Sequence, residues 1–300
     1  MKTDSLKTKS KKIIKIVIFF NNYRGLLLSK FLKARKYKIF NVLTKKFLNK
    51  EVLKRLKKSK NFKLIKDLKN KALINFLKEE KFDLIVAAGF PHLFKKEYFK
   101  LTRYGIINLH AGKLPKYRGG SPLNWQIINN EKKIGLSVIK VDKKIDHGPI
   151  ICETSFKNLK TDDINIIHNK ANKLFLNLTL KAIKIIGKNI KLKKQNHSSS
   201  YFKQRKDEDS KINFNASASN VYNFVRALSF PYKGAFFKYK NKKFRILKCK
   251  INNYPTNNMN PGKVFKIKKK KIFFIKCKKQ NISVLKSKPD LGIIKKIEHI

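Results

Sequence analysis

Short apolar runs alternate with helical spacing through the first half of the chain. Ile13–Phe20 reads as a strand, and Tyr23–Lys36 carries apolar residues three and four apart, the spacing of a helix packed on one face. Ile39–Leu43 reads as a second strand and Ala72–Glu80 as a second helix. Phe82–Ala88 is a nearly unbroken apolar run that stops at Gly89, as a strand covered on both faces does. Gly105–Leu109 and Leu136–Val141 follow as further strands. Strands of this kind separated by helices predict an α/β fold with a Rossmann-like, mostly parallel sheet flanked by helices. Ligands of such sheets gather beyond the carboxyl ends of the strands, where Gly89 and Asn108 to His110 fall.

Ile164–Gly187 has the spacing of a long helix and closes a first domain, residues 1–188. The polar stretch Asn189–Ser210, with Ser198-Ser199-Ser200 and Asp207-Glu208-Asp209, reads as a linker over 189–211, its acidic cluster a solvated loop. Beyond it the texture changes. Ala216–Leu228 is helical, and short alternating runs follow at Ala235–Tyr239, Lys243–Leu247, Gly262–Ile267, Ile272–Cys277 and Ile282–Leu285. Turn signals at Asn257-Asn258 and Pro261-Gly262 separate them, which predicts a small C-terminal, mainly-β, OB-like domain over 212–300.

Composition changes this picture little. An apolar fraction of 42% in 300 residues supports two real cores. The 74 Lys and Arg against 18 Asp and Glu give a formal charge of +56, which taken alone would suggest a polyanionic partner. Lysine is spread along the whole chain beside abundant Ile and Asn, as codon bias toward A and T also produces. Most of the charge is therefore read as solvated surface, with a residual pull on phosphorylated substrates. Three widely spaced cysteines with no C-x-x-C argue against a disulfide framework or a zinc site. They read as free thiols in a reducing cytoplasm, and no metal is expected. The apolar run Ile16–Phe20 is too short to span a bilayer and has no small-residue cleavage site after it, so it reads as a first strand. No G-x-G-x-x-G or G-x-x-x-x-G-K is present.

The chemistry concentrates in Asn108-Leu109-His110, the turn that follows it, and Asp146-His147-Gly148. Asn108 and His110 are two apart at a strand end, so both side chains point to one side. An amide N–H can donate to a developing oxyanion, and an imidazole can do the same or move a proton near neutral pH. Asp146 lies in a loop after the next strand, from which a carboxylate reaching His110 would raise its pKa and favour the charged form. Singly, each residue is an ordinary turn or cap. Together they are the parts needed to move an acyl group onto an amine without a metal or a covalent intermediate.

Asn108-x-His110, Leu114-Pro115-Lys116-Tyr117-Arg118-Gly119, Ser121-Pro122 and Asp146-x-Gly148 resemble, in order and spacing, the signature of the 10-formyltetrahydrofolate-dependent formyltransferases. Ser121–Asn129 and Arg226–Phe236 extend the resemblance, which covers roughly Ile13 to Leu285. It implies an amine attacking the formyl carbon of the folate, with Asn108, His110 and Asp146 catalytic. It places the folate against His92, Leu93 and Phe94, the turn Gly112, Lys113, Leu114 and Pro115, and the loop Asp142, Lys143, Lys144 and Ile145. Phe94 and Trp125 are read as core packing rather than stacking platforms.

Two branches of the family share this two-domain length. One formylates a nucleotide-linked amino sugar, the other methionyl initiator tRNA. The tRNA branch carries a Pro-Gly-Arg-bearing loop after the second strand, whereas this chain reads Thr44-Lys45-Lys46-Phe47-Leu48-Asn49-Lys50-Glu51 and turns helical. Phe230-Pro231-Tyr232-Lys233-Gly234-Ala235-Phe236 also resembles the sugar branch. The expected partner is thus a small-molecule amine acceptor, a nucleotide-linked sugar, with tRNA the alternative. A non-catalytic basic nucleic-acid-binding relative is a third reading, from a different class. Oligomeric state stays open.

Overall fold

The computed structural model describes residues 13–57, 59, 61–188, 190–192, 194–195, 200–239, 242–256, 258–267, 272–294 and 298–299. Asn189, Ser198 and Ser199 of the expected linker, and Asn257 of the expected turn, lie outside the described residues.

The chain runs β1 (Lys15–Phe19), α1 (Tyr23–Lys33), β2 (Lys38–Thr44), α2 (Lys50–Leu56), β3 (Phe62–Ile65), α3 (Lys71–Glu79), β4 (Leu84–Ala87) and β5 (Ile106–His110). It continues through β6 (Arg118–Gly119), α4 (Pro122–Ile128), β7 (Lys133–Lys140), β8 (Ile150–Lys157) and α5 (Ile164–Gly187). Then come β9 (Tyr201–Phe202), α6 (Ala218–Ala227), β10 (Ala235–Tyr239), β11 (Lys242–Asn252), β12 (Val264–Lys266), β13 (Phe273–Lys276), β14 (Asn281–Lys288) and β15 (Glu298–His299). By contacts the described chain falls into two compact units. The first takes residues up to 118, 135–155 and 171–201; the second takes 119–134, 156–170 and 202 onward.

The main sheet has the order β3-β2-β1-β4-β5-β7-β8. Strands β3 to β5 pair in parallel, and β7 runs antiparallel to β5, so the expected Rossmann-like, mostly parallel sheet is present. Its central strands are apolar on both faces: Ile16 to Phe20 and Leu84 to Val86 have no exposed surface. Asparagine, abundant in this chain, opens three of the flanking helices. The side chains of Asn22, Asn49 and Asn70 accept hydrogen bonds from the first-turn amides of α1, α2 and α3. Buried Phe19 meets Phe90, Phe94 and Tyr98 edge-on at 5.2, 5.2 and 6.0 Å. Such pairs contribute about 0.5–1.5 kcal/mol each beyond area burial, and these fix the segment that follows β4. Phe94 is half-buried and packs against this core.

The second sheet has the order β10-β11-β14-β13-β12-β15 and is antiparallel except for β12 with β15. With α6 it forms the expected OB-like β domain, around a core that includes Val221, Val225, Phe244, Ile246, Ile275 and Ile282. The acidic cluster is not simply solvated. Asp207 pairs with Arg245 at 2.6 Å, and Asp209 pairs with Lys203 at 2.7 Å. Cys152, Cys249 and Cys277 are buried free thiols, as expected. Among the described residues, no helix is long and apolar enough to cross a membrane.

Candidate active site

The loop between β7 and β8 brings Asp146 back to the end of β5. One carboxylate oxygen, Oδ1, accepts from Asn108 Nδ2 at 3.2 Å, and Oδ2 lies 3.3 Å from His110 Nδ1. His110 and Asp146 have 4% and 9% of their side chains exposed, so this carboxylate acts in a largely dry setting. The loop reaches this place through two unusual backbone positions. Asp146 is left-handed with φ 51°, sparsely populated for a residue with a side chain. Gly148 packs so tightly that a Cβ there would sit 1.7 Å from the carbonyl oxygen of Lys140 in β7. The Asp-x-Gly spacing is thus a packing requirement.

His110 is held from both sides. Its Nε2 meets the backbone carbonyl of Tyr117, which can only accept, so Nε2 carries a proton. Burial pushes the imidazole below its ordinary value of 6.5, against the upward pulls of Asp146 and the Tyr117 carbonyl, and Arg24 adds a smaller downward push. The expected upward pull of Asp146 is present, and burial opposes it with the larger effect.

A depressed folded-state pKa stabilises the fold above the unfolded value and loses that contribution as pH falls. The contribution of His110 is thus complete above about pH 6.5 and declines below it. Equilibrium denaturation at pH 7.5 and 5.5 should show a larger loss for the wild type than for His110→Gln. His92 is also lowered, by burial first and Lys46 second, so the comparison between the two proteins carries the test.

The turn after β5 closes on the same ring. A Cβ on Gly112 would lie 2.6 Å from His110 Nε2. Buried Ser137 secures this turn, donating to the Gly112 carbonyl at 2.9 Å and accepting from the Leu114 amide at 3.3 Å. Leu114 is buried, Lys113 is exposed, and the Leu114–Pro115 bond is cis. Asp142, Lys143, Lys144 and Ile145 are exposed on the Asp146 loop, where Asp142 accepts from the Lys144 amide at 2.9 Å. His92 bonds Thr44 Oγ1 at the end of β2, at 2.9 Å, and Leu93 is exposed. A groove of about 550 Å³ is lined by Lys96, Glu97, Phe99, Lys100, Asp142 and Lys143.

Two contributors carried no sequence signal of their role. Arg118, only 2% exposed, donates from Nε and Nη2 to Gln195 Oε1 at 3.1 and 2.8 Å. Gln195 Nε2 in turn donates to the carbonyls of Asp146 and Gly148 at 2.9 and 2.7 Å. Arg118 Nη1 also lies 2.8 Å from His147 Nε2, and since a guanidinium only donates, His147 accepts there. Arg118 belonged to the recognised turn. Gln195 lies in the stretch expected to be a linker.

A carboxylate thus meets an amide and a buried imidazole at the carboxyl ends of the parallel strands, an arrangement chemically able to donate hydrogen bonds and to move a proton. The formyl transferase family model matches residues 40–183 and the formyl transferase C-terminal domain model residues 204–298. The chain belongs to the formyl transferase family. It is 38% identical over 189 residues to the bifunctional polymyxin resistance protein ArnA of Wigglesworthia glossinidia brevipalpis, matching 62% of this chain and 29% of that one. It is 31% identical over 214 residues to the methionyl-tRNA formyltransferase of Malacoplasma penetrans, 71% of this chain and 67% of that protein. The N-formyltransferase of Helicobacter canadensis, solved with folinic acid and dTDP-3-aminofucose, superposes with a TM-score of 0.70 at 21% identity, covering 90% of this chain and 98% of that one.

Proposed function

We propose that the chain transfers a formyl group from 10-formyltetrahydrofolate to the primary amine of a nucleotide-linked amino sugar. The observation that carries the chemistry is the contact of one carboxylate, Asp146, with both Asn108 and His110 at the end of β5. The residue types fit the donor. Phe99 offers an apolar wall, and Lys96, Lys100 and Lys143 offer cations to a planar molecule with an anionic tail. Bound there, the folate supplies an activated formyl carbon. The Asn108 and His110 N–H groups donate to the oxygen that gains charge as the amine attacks, Asp146 accepts the proton the amine must lose, and the bond from the formyl carbon to folate N10 breaks as that proton passes on to N10, releasing tetrahydrofolate. His110 gives up the Tyr117 carbonyl as partner to do so.

The acceptor reading is supported by the loop after β2, which lacks the Pro-Gly-Arg pattern, and by the Phe230–Phe236 string. The Helicobacter enzyme, solved with a nucleotide-linked amino sugar, matches over nearly its whole length. The second reading is a methionyl-tRNA formyltransferase, favoured by the Malacoplasma relative. A panel of nucleotide-linked 3-amino and 4-amino sugars, with 10-formyltetrahydrofolate, should yield tetrahydrofolate at a rate that depends on the sugar. Turnover of methionyl-tRNA alone selects the second reading.

Gln195 positions Asp146 in this scheme. Gln195→Ala strips two donors from the loop carbonyls, and the resulting slack of the carboxylate is expected to lower kcat about 100-fold with KM values little changed. Steady-state kinetics well below the melting temperature check this. A fall in melting temperature with kcat intact would make Gln195 merely structural.

A further inference from the structure

We propose that Phe47 is a stacking platform for the base of the acceptor nucleotide, at the far end of the same strand-end edge that carries His110. The proposal rests on the nucleotide-linked reading of the acceptor. Phe47 is 74% exposed, the most exposed of the large apolar side chains described. A single exposed apolar residue is unremarkable on a surface. Phe47 differs in two ways that are independent of its exposure.

First, its backbone is left-handed, with φ 56°. A bulky side chain rarely adopts this conformation, which costs energy unless the surroundings impose it. Here they do. Asn21, 2% exposed, donates from Nδ2 to Thr44 Oγ1 at 2.9 Å, to the Thr44 carbonyl at 3.1 Å and to the Lys46 carbonyl. Its Oδ1 accepts from the Thr44 amide at 2.9 Å. The Lys45 amide bonds Ile65 O at 3.1 Å, and the Asn49 amide bonds Asn21 O at 3.0 Å. The loop between β2 and α2 is thus anchored on both sides of Phe47, and the ring is presented to solvent on a stiff support.

Second, its place in the sheet suits a nucleotide-linked substrate. Going from β5 to β2 crosses β4 and β1, three strand spacings, or about 14 Å at the usual separation of neighbouring strands. The acceptor amine must lie beside His110 and Asp146. Two phosphates and a ribose separate the sugar ring from the base, and a spacer of that kind reaches along the edge to β2. Cations stand beside the ring. Lys45 and Lys46 are exposed, and Lys46 Nζ lies 5.3 Å from the Phe47 ring centroid, where it can meet a phosphate while the ring meets the base.

The test compares Phe47→Ala, Phe47→Leu and Phe47→Tyr on two acceptors: a nucleotide-linked amino sugar and the same amino sugar 1-phosphate, which lacks the base. The expected result is a KM about 10-fold higher for the nucleotide-linked acceptor with Ala, the loss of roughly one base–aromatic stack. Leu should resemble Ala, Tyr should restore the wild-type value, and the sugar 1-phosphate should show no change. Unchanged KM values, or an equal rise for both acceptors, overturn the proposal. Calorimetric titration of the full chain with dTDP, UDP and GDP separates it from the acceptor reading. Binding of one that Phe47→Ala weakens and Phe47→Tyr keeps upholds the platform even where no amino sugar in the panel turns over. Binding of none, or binding indifferent to residue 47, overturns it.

Discussion

Asp146→Asn is expected to lower kcat about 1000-fold, within the range of a lost positioned acid–base group, while leaving the chain folded. The substitution is isosteric. The amide oxygen can still accept from Asn108, and the amide nitrogen stands where it can donate to His110 Nδ1 once the upward pull of the carboxylate is gone. The capacity to accept the amine proton is lost. So is the upward pull on the imidazole, which burial already holds below 6.5. Tetrahydrofolate release at saturating donor and acceptor reads the effect, with thermal unfolding as the control. A kcat within about 10-fold of wild type would remove Asp146 from the chemistry.

Gly148→Ala is expected to damage stability and turnover together. The added methyl would stand 1.7 Å from the Lys140 carbonyl oxygen, a backbone atom of β7 that cannot swing aside. Either the β7–β8 loop moves, taking Asp146 away from Asn108 and His110, or the strand distorts. Overpacking of this kind costs about 3 kcal/mol, and loop displacement should bring kcat down toward the Asp146→Asn level. Gly187→Ala is the control, because its Cβ would meet nothing closer than 4.0 Å. Chemical denaturation and turnover of the two variants side by side check the prediction. Equal behaviour would mean that the loop tolerates a side chain at 148.

The elements legible in the sequence were those whose burial writes a pattern. The central strands β1, β2, β4 and β5 announced themselves as apolar runs, and α5 was found with the bounds it has, Ile164–Gly187. The main-sheet strands without such a pattern, β3 and β8, are its two edges. An edge strand is covered less completely, and Glu153 and Phe156–Lys157 of β8 follow only three consecutive apolar residues. The short helix α4 lies within the signature segment Ser121–Asn129, whose seven helical residues are too few to show a helical period.

The site divides in the same way. Asn108, His110 and Asp146 were readable because two lie on one strand end and the third in the loop after the neighbouring strand. The sign of the His110 shift was not, since a sequence shows a nearby carboxylate but not the depth of burial opposing it. Gln195 was invisible because its role depends on a fold that carries it back beneath the loop, 49 residues along the chain from Asp146.

The three thiols give the molecule built-in reporters. Burial holds Cys152 up at about 11 and Cys249 and Cys277 at about 12, so almost none of the reactive thiolate exists while the fold is closed. Cys152 belongs to the first compact unit and the other two to the second. An alkylating reagent applied under native conditions therefore marks each unit only when that unit opens, and the mass of the labelled peptide tells which one did.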